Sequence, residues 1–325
     1  MKTPLISIIT PAYNLEGCLE RSLNSVIKQT FPSLELVLVN DGSTDNTLNL
    51  ATQVLENSGI SHQILDQANM GVSQARNAGI RAARGDYLFF LDGDDYLKED
   101  CLEKMHQALI KHRAQTVCAN YVKVTEEGEK LSIPQVMLPE TSTAEYLIVL
   151  ELSMAITFSF CQLLYPRRLV TSEGISFNPG LCYGEDTDFA LRVLAHLDRV
   201  AYLPEELIYY VQRGASSTRM NLLDRYDFIP ALDGLKKYYQ NHGLGGEVVD
   251  LIDQQRIPKS IMGNTNYLLD AGLSLEEVVG ELKKRKLLSR LKNFKPKGPR
   301  DYRFLAKTRL FTTSPWLYTH LRQVI

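Results

Sequence analysis

Leu88-Phe89-Phe90-Leu91-Asp92-Gly93-Asp94-Asp95 decides how the rest of the chain is read. Four apolar residues running directly into three carboxylates predict a buried central strand that delivers acids at its carboxyl end. That is the end at which open α/β sheets bind ligands. Asp92 and Asp94 are separated by one glycine, so an extended backbone would aim both at one pocket, and Gly93 would let a ligand approach closely. Two converging carboxylates suit a hard cation, Mg2+ or Mn2+, whose other positions are filled by phosphate oxygens and water. A bare Asp-x-Asp also ends many strands as a solvated acidic turn, so the flanking sequence has to decide.

Working outward, Leu5 to Thr10 is a β-branched run ended by Pro11-Ala12-Tyr13-Asn14, and Leu19, Leu23, Val26 and Ile27 then recur at helical spacing. Leu34 to Val39 is a second strand closed by Asn40-Asp41-Gly42-Ser43-Thr44-Asp45, with Asp45 at a helix start. His62 to Leu65 is a short third strand. Asn69 to Gly79 opens a helix whose small residues allow close packing and which carries Arg76, a bidentate partner for a diphosphate if one binds nearby. Strand and helix alternating in this way predict a parallel sheet with right-handed crossovers. Further on, Gln115 to Val122 reads as a strand, Thr125 to Lys130 as a hairpin or excursion and Ser142 to Ile156 as a helix. Phe158 to Tyr165 has the mixed character of a partly buried acceptor wall.

With 325 residues and 44% apolar content, the chain has room for one large domain and a smaller one. Five cysteines without a Cys-x-x-Cys pair point to neither a disulfide framework nor a zinc site, and read as reduced cytosolic residues. No signal-peptide pattern opens the chain, and the longest apolar stretch, Tyr146 to Phe158, is too short to span a bilayer. The net charge of −2 conceals an asymmetry: from Glu281 onward 13 Lys and Arg face 2 acids, so the preceding 280 residues carry −13.

Taken together, Pro11-Ala12-Tyr13-Asn14, the Asn40 to Asp45 turn, Gly71 through Arg76-Asn77-x-Gly79, Leu91-Asp92-Gly93-Asp94-Asp95 and Gly184-Glu185-Asp186 resemble the ordered signature of family 2 glycosyltransferases. These are inverting, metal-dependent enzymes with a GT-A fold. The resemblance covers about residues 4 to 220 and implies an α/β architecture, a mostly parallel sheet flanked by helices. It implies that Pro11 and Tyr13 pack on the nucleotide base and that Asp41 bonds a uracil edge. Asp92 would face the ribose, Asp94 would hold the metal, and Arg76 would lie near the nucleotide of a UDP-sugar donor. Asp186, with Glu185 second, would be the catalytic base toward a saccharide or lipid-linked saccharide acceptor. Near Tyr209 to Arg219, Arg213 or Arg219 would reach the phosphates. One departure is Asn40, where the family usually carries an acid.

Helical patterns dominate residues 221–288, predicting an appendage to a catalytic domain over residues 1–220. Residues 289–325 continue as a basic amphipathic tail with Leu317, Leu321, Val324 and Ile325 on one helical face. The basic series from Lys283 predicts docking on an anionic membrane surface, which would make the protein cytoplasmic and peripheral on the inner face of the membrane. No nucleic-acid motif accompanies these cations, so no nucleic-acid partner is predicted. Competing readings are a nucleotidyltransferase, which would need a glycine-rich, lysine-bearing early loop, and a dehydrogenase, which would need Gly-x-Gly-x-x-Gly. A non-catalytic carbohydrate or nucleotide-sugar binder on the same fold would be expected to have lost Asp94 or Asp186.

Overall fold

The computed structural model describes residues 5–131, 137–213, 221–243 and 245–322. The chain divides into two compact units, one of residues 1–147, 158–179 and 189–217, the other of residues 148–157, 180–188 and 218–325.

In the first unit the strands are β1 (Ile6–Ala12), β2 (Leu34–Asp41), β3 (Ser61–Gln67), β4 (Tyr87–Phe90), β5 (Tyr96–Leu97), β6 (Thr116–Val124), β7 (Thr141–Thr143), β8 (Tyr165–Pro166) and β9 (Arg199–Val211). A five-stranded sheet runs in the order β3-β2-β1-β4-β8. Its first four strands are parallel and β8 is antiparallel. The crossovers are α1 (Leu19–Ile27), α2 (Thr47–Glu56) and α3 (Val72–Ala82). A second sheet places β9 between β5 and β6, with β7 also on β9. The α/β architecture expected from the alternating pattern is therefore present.

β4 is buried on both faces, which is why its sequence has no polar alternation. Phe89 joins a core with Ile6, Ile8, Leu36 and Leu38. Phe90 enters an aromatic cluster on the opposite face, 5.2 Å from Phe177, 5.4 Å from Phe189 and 5.5 Å from Tyr165. Within the Phe158 to Tyr165 run, Phe160 and Tyr165 join this cluster and Leu164 joins the core around Phe89, while Phe158 and Ser159 are half-buried. At the amino end of the sheet, Glu35 lies inside the apolar run of β2. It accepts from Ser7 Oγ at 2.6 Å, Arg84 N at 2.7 Å and Arg84 Nε at 2.9 Å.

The second unit is helical. After α4 (Cys101–His112), α5 (Ala144–Ser153), α6 (Arg167–Ser172) and α7 (Glu185–Leu194) come α8 (Phe228–Asn241), α9 (Gly246–Leu251), α10 (Ile257–Asp270), α11 (Leu275–Lys284), α12 (Pro299–Thr313) and α13 (Pro315–Leu321). A buried pair ties Arg256 Nη2 to Glu151 Oε1 at 2.9 Å. Part of the basic series is paired within this unit: Arg285 bonds Asp227 and Glu281, Arg290 takes Asp233 in a fork at 2.8 and 3.0 Å, and Arg322 pairs with Asp270 at 2.8 Å. Leu287, Leu291, Phe294, Phe311 and Tyr318 are buried, so residues 289–322 fold with residues 221–288. Trp316, Leu317 and Leu321 stay exposed, whereas Val324 and Ile325 lie outside the described residues. Among the described residues no helix is long and apolar enough to cross a membrane.

Candidate active site

Parallel pairing of β1, β2 and β4 brings their carboxyl ends to one edge, and the loops that follow are fastened to one another. Asn14 adopts a left-handed conformation (φ 52°) and accepts from Thr44 N at 2.8 Å while its own N–H donates to Ser43 Oγ at 3.1 Å. Leu15 N donates to Thr47 Oγ1 at 2.7 Å and Glu16 N to Asp45 Oδ2 at 3.1 Å. Asp45 also accepts from Thr47 N at 3.0 Å at the entry of α2. Gly42 has φ 71°, and a Cβ there would meet Asn69 N at 2.6 Å, so only glycine lets the second loop approach the third.

Asp41, at the end of β2, is buried. Its Oδ1 accepts from Gln67 Nε2 at 2.8 Å and Met70 N at 2.9 Å, and its Oδ2 from Gly71 N at 2.8 Å. Asp41 thus fixes the entry of α3, from which Arg76 projects. Arg76 is itself buried: its Nη2 donates to Asp92 Oδ1 at 2.8 Å, and its guanidinium carbon lies 4.3 Å from the Phe160 ring centroid. The aromatic cluster therefore supports the cation that orients Asp92. Asn40 is also buried and donates from Nδ2 to Asp66 Oδ1 at 2.7 Å. Pro11 lies within β1, whereas Tyr13 is 44% exposed beyond it.

The acidic turn is tight, with Asp95 N donating to Asp92 O at 3.0 Å. A Cβ on Gly93 would meet Leu15 Cδ1 at 2.6 Å and Pro11 O at 3.1 Å. The glycine accordingly lets the acidic turn pack against the first loop. Burial foremost, and then the charge of Asp92, push the Asp94 carboxyl above its usual range, with Arg213 pulling the other way. Arg213 Nη1 stands 4.0 Å from Asp94 Oδ2. Arg213 also borders a cavity of about 440 Å3 whose lining includes Glu16, Glu20 and Arg21. Among the described residues of the first unit, Pro11, Tyr13, Asp41, Asp92, Asp94 and Arg213 lie at or just beyond the ends of β1, β2, β4 and β9, and Arg76 reaches Asp92 from α3.

A carboxylate crowded by burial and by a second carboxylate is an oxygen donor of the kind that a hard divalent cation relieves. Asp95 has a structural role that no motif around it announces. It is 1% exposed, accepts from Val211 N at 2.8 Å through Oδ1, and its carboxyl is pushed well above the usual range by burial and then by Asp92 and Asp94. Its signal was present as the third acid of an apolar strand's ending; its partner, 116 residues on, was not readable.

Glu185 and Asp186 open α7 and, by residue grouping, belong to the second unit. Asp186 Oδ1 accepts from Thr187 N at 2.6 Å, and Asp188 is buried. The lead-in is held by its own unit: Arg225 Nη2 donates to Tyr183 Oη at 3.1 Å, and a Cβ on Gly184 would meet Phe228 Cδ2 at 2.5 Å.

The family model described as "Glycosyl transferase family 2" matches residues 7–165. The chain is 31% identical over 255 residues to a Bacillus subtilis (strain 168) protein named "Uncharacterized glycosyltransferase EpsJ", covering 75% of this chain and 72% of that one. It belongs to glycosyltransferase family 2. Another family relative, the poly(ribitol-phosphate) beta-N-acetylglucosaminyltransferase TarS of Staphylococcus aureus (strain Mu50), is 28% identical over 209 residues, 64% of this chain and 35% of TarS. The crystal structure of S. aureus TarS 1-349 in complex with UDP-GlcNAc has a TM-score of 0.73 at 22% identity, covering 97% of this chain and 88% of that one. The likeness assigns this glycosyltransferase the GT-A fold.

Proposed function

We propose that this glycosyltransferase moves a hexose or N-acetylhexosamine from a UDP-sugar to a hydroxyl of a glycan or lipid-linked glycan, inverting the anomeric centre with Mg2+ or Mn2+ bound at Asp94. The observation that carries this reading is Asp94 itself, a carboxylate with raised proton affinity at the carboxyl end of β4, facing a guanidinium at 4.0 Å. The UDP-GlcNAc complex of TarS supports a UDP-sugar as donor. When bound, the cation neutralises charge on the departing diphosphate. Pro11 and Tyr13 flank the base, Asp41 bonds the uracil edge from the loop entry it holds, and Asp92, oriented by Arg76, faces the ribose. Asp186, with Glu185 beside it, takes the acceptor proton as that oxygen forms its bond to the anomeric carbon. The bond to the diphosphate breaks with its electron pair leaving on UDP. A single displacement of this kind inverts the centre and needs no covalent sugar intermediate. Release of UDP from a panel of UDP-sugars, with an Asp94→Ala control and a chelator arm, tests the reading; full turnover in excess chelator overturns the metal requirement.

Membrane docking is the second part of the proposal, through exposed side chains of α12 and α13. There Tyr302 is 63% and Trp316 62% exposed, with Leu317, Leu321 and the exposed Arg309 nearby in the chain. An anionic cytoplasmic leaflet suits aromatic side chains at the headgroup boundary and cations above it. The variant Trp316→Ser, Leu317→Ser, Leu321→Ser is expected to lose salt-sensitive sedimentation with anionic liposomes while retaining hydrolysis of soluble donor. Sedimentation equal to the parent protein overturns it.

A further inference from the structure

β5 pairs with β9 through two residues, Tyr96 with Tyr209 and Leu97 with Ile208. The rings of Tyr96 and Tyr209 stack at 4.5 Å and 6°. Beyond Tyr209 this edge of β9 has no further strand residue in the β5 register, and Asp95 Oδ1 accepts the next inward donor, Val211 N, at 2.8 Å. On the other edge Gln212 N donates to Val124 O at 2.7 Å. A carboxylate thus takes the place of a missing ladder bond, and the chain leading to Arg213 is tied down on one edge at Val211 and on the other at Gln212. Asp95 immediately follows Asp94, so one short turn fixes the cation-binding carboxylate and, through β9, the guanidinium 4.0 Å from it.

The geometry points to Asp95 as a positioning residue for the donor's diphosphate, acting through Arg213. This rests on the proposed contact between Arg213 and the phosphates. A carboxylate that only adds negative charge near the cation, or only stabilises the sheet, makes different demands on the side chain. Positioning needs the hydrogen-bond acceptor, which Asp95→Asn keeps and Asp95→Ala removes, whereas an electrostatic role needs the charge, which both remove.

The measurements are UDP affinity by calorimetry in Mg2+ or Mn2+, donor KM, and kcat, on the full chain. Asp95→Ala is expected to weaken UDP binding and raise donor KM about tenfold, the size of one buried hydrogen bond, with kcat within about threefold. Asp95→Asn is expected to restore both to within about twofold, because its Oδ1 still accepts from Val211 N. Arg213→Ala should weaken UDP binding by at least as much, and adding Asp95→Ala to it should cost nothing further. Multiplying losses in the double variant would overturn the coupling and leave the diphosphate reading standing. An Asp95→Asn variant as weak as Asp95→Ala would replace positioning with charge. Unchanged UDP affinity in Arg213→Ala would remove both the diphosphate contact and the inference built on it.

Discussion

The two ends of the five-stranded sheet handle carboxylates in opposite ways. At the amino end Glu35 is fully buried, and burial alone would raise its pKa. The hydrogen bonds of Ser7 and Arg84, together with the Arg84 charge, outweigh burial and hold the carboxyl below its usual range. At the carboxyl end, burial and neighbouring acids leave Asp94 and Asp95 above theirs. One end is an acid whose partners are all supplied by the chain. The other gathers acids that Arg76 and Arg213 do not fully compensate, a deficit that the proposed cation at Asp94 would relieve.

Asp94→Asn gives the largest expected effect. Turnover should fall about a thousandfold, the scale of losing a group that stabilises developing charge. The cation-free variant should melt at the same temperature as the parent or higher, because a carboxyl raised in the folded state detracts from stability once ionised. A variant that is both inactive and strongly destabilised would make Asp94 a structural acid like Glu35 and erase the contrast.

Glu35→Ala should do the reverse. Ser7, the Arg84 N–H and part of the Arg84 guanidinium lose their acceptor, a cost of about 3 kcal/mol in denaturant unfolding. The folded fraction should keep its kcat within about twofold, since the opposite end of the sheet holds the site. The parent protein adds a pH signature. Because Glu35 is lowered on folding, its contribution is complete above the ordinary value of 4.5 and is lost as pH falls through the lower folded value. In Glu35→Ala that component of acid destabilisation should be missing, and an unchanged acid profile would contradict the assignment.

Asp186 extends the contrast to an acid outside the sheet. Asp186→Asn should reduce turnover about a hundredfold while UDP affinity stays within a few fold, since a general base acts on the acceptor and not on the nucleotide. Collapse of UDP affinity with turnover preserved would move Asp186 into the donor site.

Local signals were legible in the sequence and distant ones were not. The unbroken apolar run into Asp92 gave away β4, and the Asp45 helix start is realised as a hydrogen bond to Thr47 N. Glu35 was readable in part: a charged residue within Leu34 to Val39 requires a partner. That partner, Arg84, lies 49 residues away on no shared motif. The packing of Leu15 against Gly93 was not legible, because Leu15 lies far from it in the chain. The basic series looked like one continuous surface because sequence cannot show that Asp227, Asp233 and Asp253 turn Arg285 and Arg290 inward.

The smallest expected effect concerns Asn40, where this chain departs from the usual acid. In β2 it stands between Ala12 and Asp66, and its Nδ2 donates to Asp66 Oδ1 at 2.7 Å. Asn40→Asp would replace that hydrogen bond with two facing carboxylates at the end of the sheet that already gathers acids. Asp66 is exposed, so the expected loss is about 1 kcal/mol at neutral pH and not the larger cost of a sealed pair. The paired acids would bind a proton more tightly folded than unfolded, so the deficit should shrink as pH falls toward 5. UDP affinity should change less than twofold, because Asp41 and not Asn40 holds the Met70 and Gly71 backbone. Calorimetric melts at pH 7 and pH 5, with UDP titrations alongside, would check both halves. A gain in stability, or a large change in UDP affinity, would mean that the asparagine here tunes nucleotide binding and does not simply keep one more negative charge out of the site.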